Sequence, residues 1–221
     1  GMKVVGITGS VGKSTTKEMV AAIASATYRV SKTPANHNND IGMPMAILAM
    51  PEDTQVAVLE MGMNHFREIA YLSQIGQPDI SAIVNIGTMH IEHLGSREGI
   101  LQAKLEILEG MKPDSTLVVD GDESLLWNLQ KRPQNRLVYF GMNNPSCNVY
   151  GDQLIQGDGF LKLTVRTEDE TFTVELPVEG KHNAADALAA IAVCRELGVP
   201  TDKIRQSLTQ FENMEGRQEI H

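Results

Sequence analysis

The chain has 221 residues, 42% of them hydrophobic and 21% charged, with a net charge of −9. That length suits one large α/β domain with an ordinary soluble-protein composition, and an acidic balance without a basic block argues against nucleic-acid binding. No apolar run approaches the roughly 20 residues of a membrane span, and the isolated Cys147 and Cys194 suggest a reducing cytoplasm rather than a disulfide scaffold or zinc site.

In chain order, residues 2–8 predict a buried strand, followed by Gly9-Ser10-Val11-Gly12-Lys13-Ser14-Thr15 and a helix over 15–25 with Met19, Val20 and Ile23 on its apolar face. No secretory leader is expected ahead of that strand. A short strand at 28–31, a polar loop over 33–40 and an apolar helix over 41–50 follow, the last with Pro44 in its first turn. Strands at 55–61 and 80–86 flank a helix at 66–75, and a helix at 97–110 precedes a strand at 116–119 and the turn Asp120-Gly121-Asp122. Continuous apolar strands alternating with helices predict a mostly parallel sheet covered on both faces. The pattern changes near residue 136. Strands at 137–140, 149–155, 160–166 and 171–176 predict a small antiparallel lobe over about 137–177, with Gln156-Gly157-Asp158-Gly159 as a hairpin turn. Helices at 181–197 and 201–209 close the pattern.

The first turn reads as a phosphate-binding loop. Backbone N–H groups from Gly9 to Gly12 can wrap a polyphosphate at a helix N-terminus. Lys13 can reach the β and γ phosphates, and Ser14 can offer a hydroxyl to Mg²⁺. The spacing is a shorter variant, since Ile7 stands where the usual pattern has its first glycine.

Ligands in open α/β sheets bind beyond the carboxyl ends of the strands. Glu60 ends one strand, where it is either a magnesium ligand or a solvated acid. His90, in the run Asn85-Ile86-Gly87-Thr88-Met89-His90, is either a metal ligand or a hydrogen-bonded structural histidine. Lys104 reads from spacing alone as a solvated helix lysine.

Seven segments together resemble the central domain of the Mur ligase family, over about residues 4–217. They are Thr8 to Thr15, Asn38-Asn39-Asp40-Ile41-Gly42-Met43-Pro44, Leu59-Glu60-Met61-Gly62-Met63-Asn64, Asn85 to Glu92, Ala103-Lys104, Gly180-Lys181-His182-Asn183 and Gly216-Arg217. Within the family, Glu60-Met61-Gly62-Met63-Asn64 is most similar to the branch that joins D-alanyl-D-alanine to a UDP-N-acetylmuramoyl tripeptide. Folylpolyglutamate synthetase is a more distant relative.

The resemblance implies an ATP-dependent amide ligase that phosphorylates a carboxylate and lets an amine attack the acyl phosphate. It implies ATP contacts from Gly9, Ser10, Gly12, Lys13, Ser14 and Thr15. Ser14 and Glu60 would hold one Mg²⁺, and His90 with a carbamylated Lys104 a second. Lys13, His90 and Lys104 would be the catalytic set. Asn39 and Asn64 would lie beside the substrate, His182, Asn183 and Asp186 would approach the adenine, and Arg217 the nucleotide from the far side. Asp186 stands where the family usually has asparagine, and Arg67 where it often has glycine; Arg67 is expected to be exposed and of little effect. The resemblance further implies a monomer, and UDP-binding and C-terminal domains outside this chain. The isolated chain is then expected to bind Mg·ATP weakly and not to ligate alone. The rivals are a different P-loop enzyme, a non-catalytic or regulatory nucleotide-binding module, and a related ligase such as folylpolyglutamate synthetase.

Overall fold

The computed structural model describes residues 1–35, 37–87, 91–131 and 135–212. Nine strands form one sheet: β1 (Lys3–Thr8), β2 (Val30–Lys32), β3 (Val56–Glu60), β4 (Ile80–Ile83), β5 (Thr116–Asp120), β6 (Arg136–Gly141), β7 (Val149–Gly157), β8 (Phe160–Arg166) and β9 (Thr171–Leu176). Their order is β2-β3-β1-β4-β5-β6-β7-β8-β9. Among the described residues all pairs from β2 to β7 are parallel, and only β7–β8 and β8–β9 are antiparallel.

The expected α/β class, with a mostly parallel sheet, flanking helices and an antiparallel region, is what the chain adopts. The antiparallel strands continue the same sheet at its edge. Residues 137–140 belong with the parallel part, because Leu137 pairs with Leu117 and Phe140 with Asp120.

Helices cover both faces. On one side pack α1 (Lys13–Ala24), α7 (Lys181–Glu196) and α8 (Thr201–Thr209). There Met19, Val20 and Ile23 meet Val5, Ile7, Val58 and Val118, with Ala187, Ala190 and Ile191 of α7 in the same core. On the other side lie α2 (Gly42–Leu48), α3 (Glu68–Gly76) and α5 (Arg97–Leu105), and Val4, Leu59, Leu117 and Val119 turn their side chains toward Met43, Ile69, Leu72 and Ile100. Alternate residues of one strand thus enter two different cores. That is why the parallel strands read as unbroken apolar runs.

Two short helices, α4 (Ile91–Leu94) and α6 (Ser124–Trp127), carry too little periodicity to be read in advance. The helix expected over 97–110 is α-helical only to Leu105 and finishes as a 3₁₀ turn, Glu106–Gly110. Helix α5 opens on Ser96, whose side chain accepts the Gly99 N–H at 3.0 Å.

Candidate active site

The parallel register brings three strand ends level. Ile7 pairs with Glu60 across β1–β3, and Thr8 with Ile83 across β1–β4. Strand β1 lies between β3 and β4, so its C-terminal loop opens where the chain winds off in both directions, the usual ligand position of such sheets.

That loop is Gly9–Gly12, and α1 begins at Lys13, two residues earlier than the periodicity suggests. Gly12 has φ 79°, a conformation glycine enters without a Cβ penalty. A Cβ on Gly9 would stand 2.6 Å from Val84 Cγ2, so only glycine lets the loop press against the end of β4.

Asn85, just past β4, shapes the loop apex. Its Oδ1 accepts the N–H groups of Ser10 and Val11 at 2.8 and 3.1 Å, and its Nδ2 donates to Val11 O at 2.7 Å. The Ser10 hydroxyl accepts the Gly87 N–H at 2.8 Å. Sequence reasoning did not single out Asn85, because its partners lie 74 and 75 residues away.

Glu60 is buried, not a solvated strand-end acid. Ser14 Oγ donates to its Oε1 at 2.8 Å, and Asn38 Nδ2 to its Oε2 at 2.9 Å. Lys17 Nζ stands 3.5 Å from Oε1. The Glu60 N–H donates to the Thr33 hydroxyl at 3.0 Å, so the loop after β2 is latched to the acid. Asn38 and Lys17 are the functional candidates missed here. The signal for Lys17 was its position three residues after Ser14 on one helix, which places the two on a shared face.

Lys104 is 2% exposed, not a solvated helix lysine. It donates to the Gly9 carbonyl at 3.1 Å. Burial, and then the nearby Lys13 ammonium, lower its pKa to about 7. Asp186, on α7, is also buried. A Cβ on Gly12 would meet its Oδ1 at 2.4 Å, so its carboxylate lies directly under the loop. Burial raises its pKa to about 7, an effect the Thr16 hydroxyl partly offsets.

The remaining candidates lie around this centre. Thr15 sits in the first turn of α1. Asn183 is buried at the start of α7 and donates to Glu179 O at 2.7 Å, while His182 beside it is exposed. Asn39 accepts the Gly42 and Ile41 N–H groups at 2.7 and 3.2 Å, which anchors the start of α2. Asn64 is exposed, and its N–H donates to Glu68 Oε1 at 3.1 Å. His90 and Arg217 lie outside the described residues.

Arg67 is exposed, as expected, but its φ of 76° lies in the region glycine favours. Its N–H donates to both oxygens of Glu106 at 3.0 and 2.9 Å, and its guanidinium pairs with Glu109.

The donor set suits magnesium. Ser14 and Glu60 offer hard oxygens, and Mg²⁺ characteristically takes one or two protein oxygens and completes its shell with phosphates and water. Among the described residues no three His, Cys, Asp or Glu side chains cluster into a protein-only metal cage.

The Mur ligase middle domain family matches residues 7–194. A UDP-N-acetylmuramoyl-tripeptide–D-alanyl-D-alanine ligase of Bacillus subtilis (strain 168) is 44% identical over 209 residues, covering 95% of this chain and 44% of that protein. The crystal structure of MurF from Acinetobacter baumannii superposes with a TM-score of 0.91 at 34% identity, covering 98% of this chain and 47% of that one. MurF ligase from Thermotoga maritima in complex with ADP gives a TM-score of 0.86 at 29% identity, covering 96% of this chain and 49% of that one. The chain therefore spans about half the length of the relatives it matches.

Proposed function

Because the chain belongs to the Mur ligase family, matching its middle domain over residues 7–194, we propose that it is the phosphoryl-transfer core of an ATP-dependent amide ligase. The proposed reaction adds D-alanyl-D-alanine to a UDP-N-acetylmuramoyl tripeptide. One observation carries the reading. The Ser14–Glu60 hydrogen bond of 2.8 Å and the buried Lys104 on the Gly9 carbonyl meet at the mouth of one phosphate loop.

A carboxylate is a poor electrophile until phosphorylation supplies a leaving group, and that transfer needs alignment and charge neutralisation more than covalent help. In this reading the loop N–H groups of Gly9 and Gly12, with Ser10 and Thr15 beside them, cradle the ATP phosphates, while the Ser10 N–H stays on Asn85, and Lys13 binds the β and γ groups. Ser14 and Glu60 would hold Mg²⁺, which when bound neutralises the phosphate oxygens. Asn85 keeps the loop in shape for contact.

Lys104 would be the carbamylated lysine and, with His90, would supply a second cation site. Its amine nitrogen would bond to the carbon of CO₂ and release one proton. A pKa near 7 favours that step, because much of the amine is neutral at physiological pH. Asn39 and Asn64 would face the tripeptide. His182, Asn183 and Asp186 would lie toward the adenine, with Arg217 on the nucleotide's far side. The protein would act as a monomer in the cytoplasm, where ATP is available; no helix among the described residues is long and apolar enough to cross a membrane.

The test places this chain within a protein of its relatives' full length, with Mg·ATP, the tripeptide and D-alanyl-D-alanine. Mass spectrometry is expected to find a UDP-linked pentapeptide with matching phosphate release. Phosphate release that ignores the dipeptide would overturn the substrate assignment. Lys104→Ala is expected to abolish turnover, whereas a regulatory nucleotide-binding module would tolerate it.

A further inference from the structure

Lys17 is 1% exposed, and no step of the proposed reaction uses it. It leaves α1 one turn after Lys13. Its Nζ donates to the Thr33 carbonyl at 2.8 Å and stands 3.5 Å from Glu60 Oε1 and 3.8 Å from Glu18 Oε1. Glu18 is also paired with Lys32, so Glu60 is the acid that depends on Lys17 for its counter-charge. Burying an ammonium is costly unless it is paired and hydrogen-bonded, and Lys17 is both.

Seen from Glu60, both carboxylate oxygens have protein partners. Ser14 donates to Oε1, Asn38 donates to Oε2, and the Lys17 charge stands beside Oε1. We infer that Lys17 is a positioning residue that compensates Glu60 in the nucleotide-free protein, so that a divalent cation binds there tightly only together with a nucleotide's phosphates. The inference rests on the reading of Ser14 and Glu60 as magnesium ligands. A cation approaching Glu60 alone meets an ammonium a few ångströms away, and repulsion at that range is worth about tenfold or more in affinity. Phosphate oxygens bring the negative charge that offsets Lys17. The cation is thereby selected as a metal–nucleotide complex, and the bond to Thr33 keeps the Asn38 loop on the acid.

A purely structural Lys17 predicts the opposite sign. Its loss would loosen Glu60 and Asn38 and weaken cation binding. The experiment therefore titrates Mn²⁺ without nucleotide, following free Mn²⁺ by electron paramagnetic resonance, on the chain and on Lys17→Met and Lys17→Gln. Lys17→Gln removes the charge but keeps a donor for the Thr33 carbonyl, so it serves if Lys17→Met does not fold; circular dichroism checks both. The expected result is Mn²⁺ affinity about tenfold tighter in a folded variant, with a larger rise in thermal midpoint on adding Mn²⁺. Adding Glu60→Gln to the variant should remove the gain. Unchanged or weaker Mn²⁺ binding in a folded Lys17 variant overturns the inference alone, and so does a gain that survives Glu60→Gln. If Glu60→Gln leaves Mn²⁺·ATP binding by the parent chain unchanged, the metal-site reading falls and takes the inference with it.

Discussion

The two parts of the sheet were built to different rules. Strands β1 and β3–β6 are parallel and largely buried on both faces, and Glu60 and the Gly9–Gly12 loop lie at their carboxyl ends. Strands β7 to β9 alternate, as in the buried–exposed pattern of β8. The parallel part buries Lys17, Glu60, Lys104 and Asp186 around one loop. The antiparallel edge buries no charged side chain among the described residues. Buried charge thus concentrates in the parallel part. Among the described residues, Lys17 and Lys104 find carbonyl acceptors just past strand ends and Glu60 finds side-chain donors, whereas the edge extends the apolar core that α7 packs against.

That contrast can be broken by substitution. After the loss of turnover expected of Lys104→Ala, the next largest effect is expected from Lys13→Ala, which should slow phosphoryl transfer about 10²–10³-fold in a protein of full length while leaving the melting temperature nearly unchanged. A large loss of stability instead would make Lys13 a structural residue.

Asp186→Asn tests the cost of buried charge. The folded pKa of about 7 lies above the ordinary 3.8, so the native state holds a proton that the unfolded chain releases. Stability from this group is therefore full below about pH 4 and is lost as pH rises through 7. At roughly 1.4 kcal/mol per pH unit, Asp186→Asn should be more stable at pH 8 by up to about 4 kcal/mol, and the gap should close toward pH 4. Denaturant titrations at the two pH values measure it, and a gap independent of pH would refute the assignment.

Asn85→Ala removes three hydrogen bonds that shape the loop apex. Nucleotide affinity should fall about tenfold and stability by about 1–3 kcal/mol, read by fluorescent-nucleotide titration and thermal melts. Arg67→Gly exchanges an unfavourable left-handed conformation, worth about 1 kcal/mol, for the loss of an exposed ion pair with Glu109 worth about 0–1 kcal/mol. Its stability should stay within about 1 kcal/mol of the parent, and a larger loss would show that the Glu109 pair anchors the loop. The smallest effect belongs to the edge. Ile155 is 53% exposed on β7. Ile155→Thr should change stability by less than about 0.5 kcal/mol and leave nucleotide affinity unchanged. A changed affinity would show that the two parts of the sheet are coupled.

Much of this was legible in advance because it is local. The phosphate loop is a contiguous strand–turn–helix, and the periods of 2 and 3.6 residues marked most elements. What escaped was set by distant partners. The 3₁₀ end of the Lys104 helix accompanies Glu106, whose carboxylate caps the backbone at Arg67 and Ala70. The positive φ of Arg67 gives a physical reason for glycine at that position, yet nothing in the side chain announces it.

The α/β class, the loop that can take a phosphate and the residue types that can serve it are readable along the chain, because these depend on neighbours within a few positions. The folded arrangement sets which acid meets which hydroxyl, that Lys17 rather than solvent faces Glu60, and that Lys104 is buried on the Gly9 carbonyl. Those outcomes follow from strand register and helix packing, which join residues 46 and 95 positions apart and exclude the water that would otherwise solvate each charge.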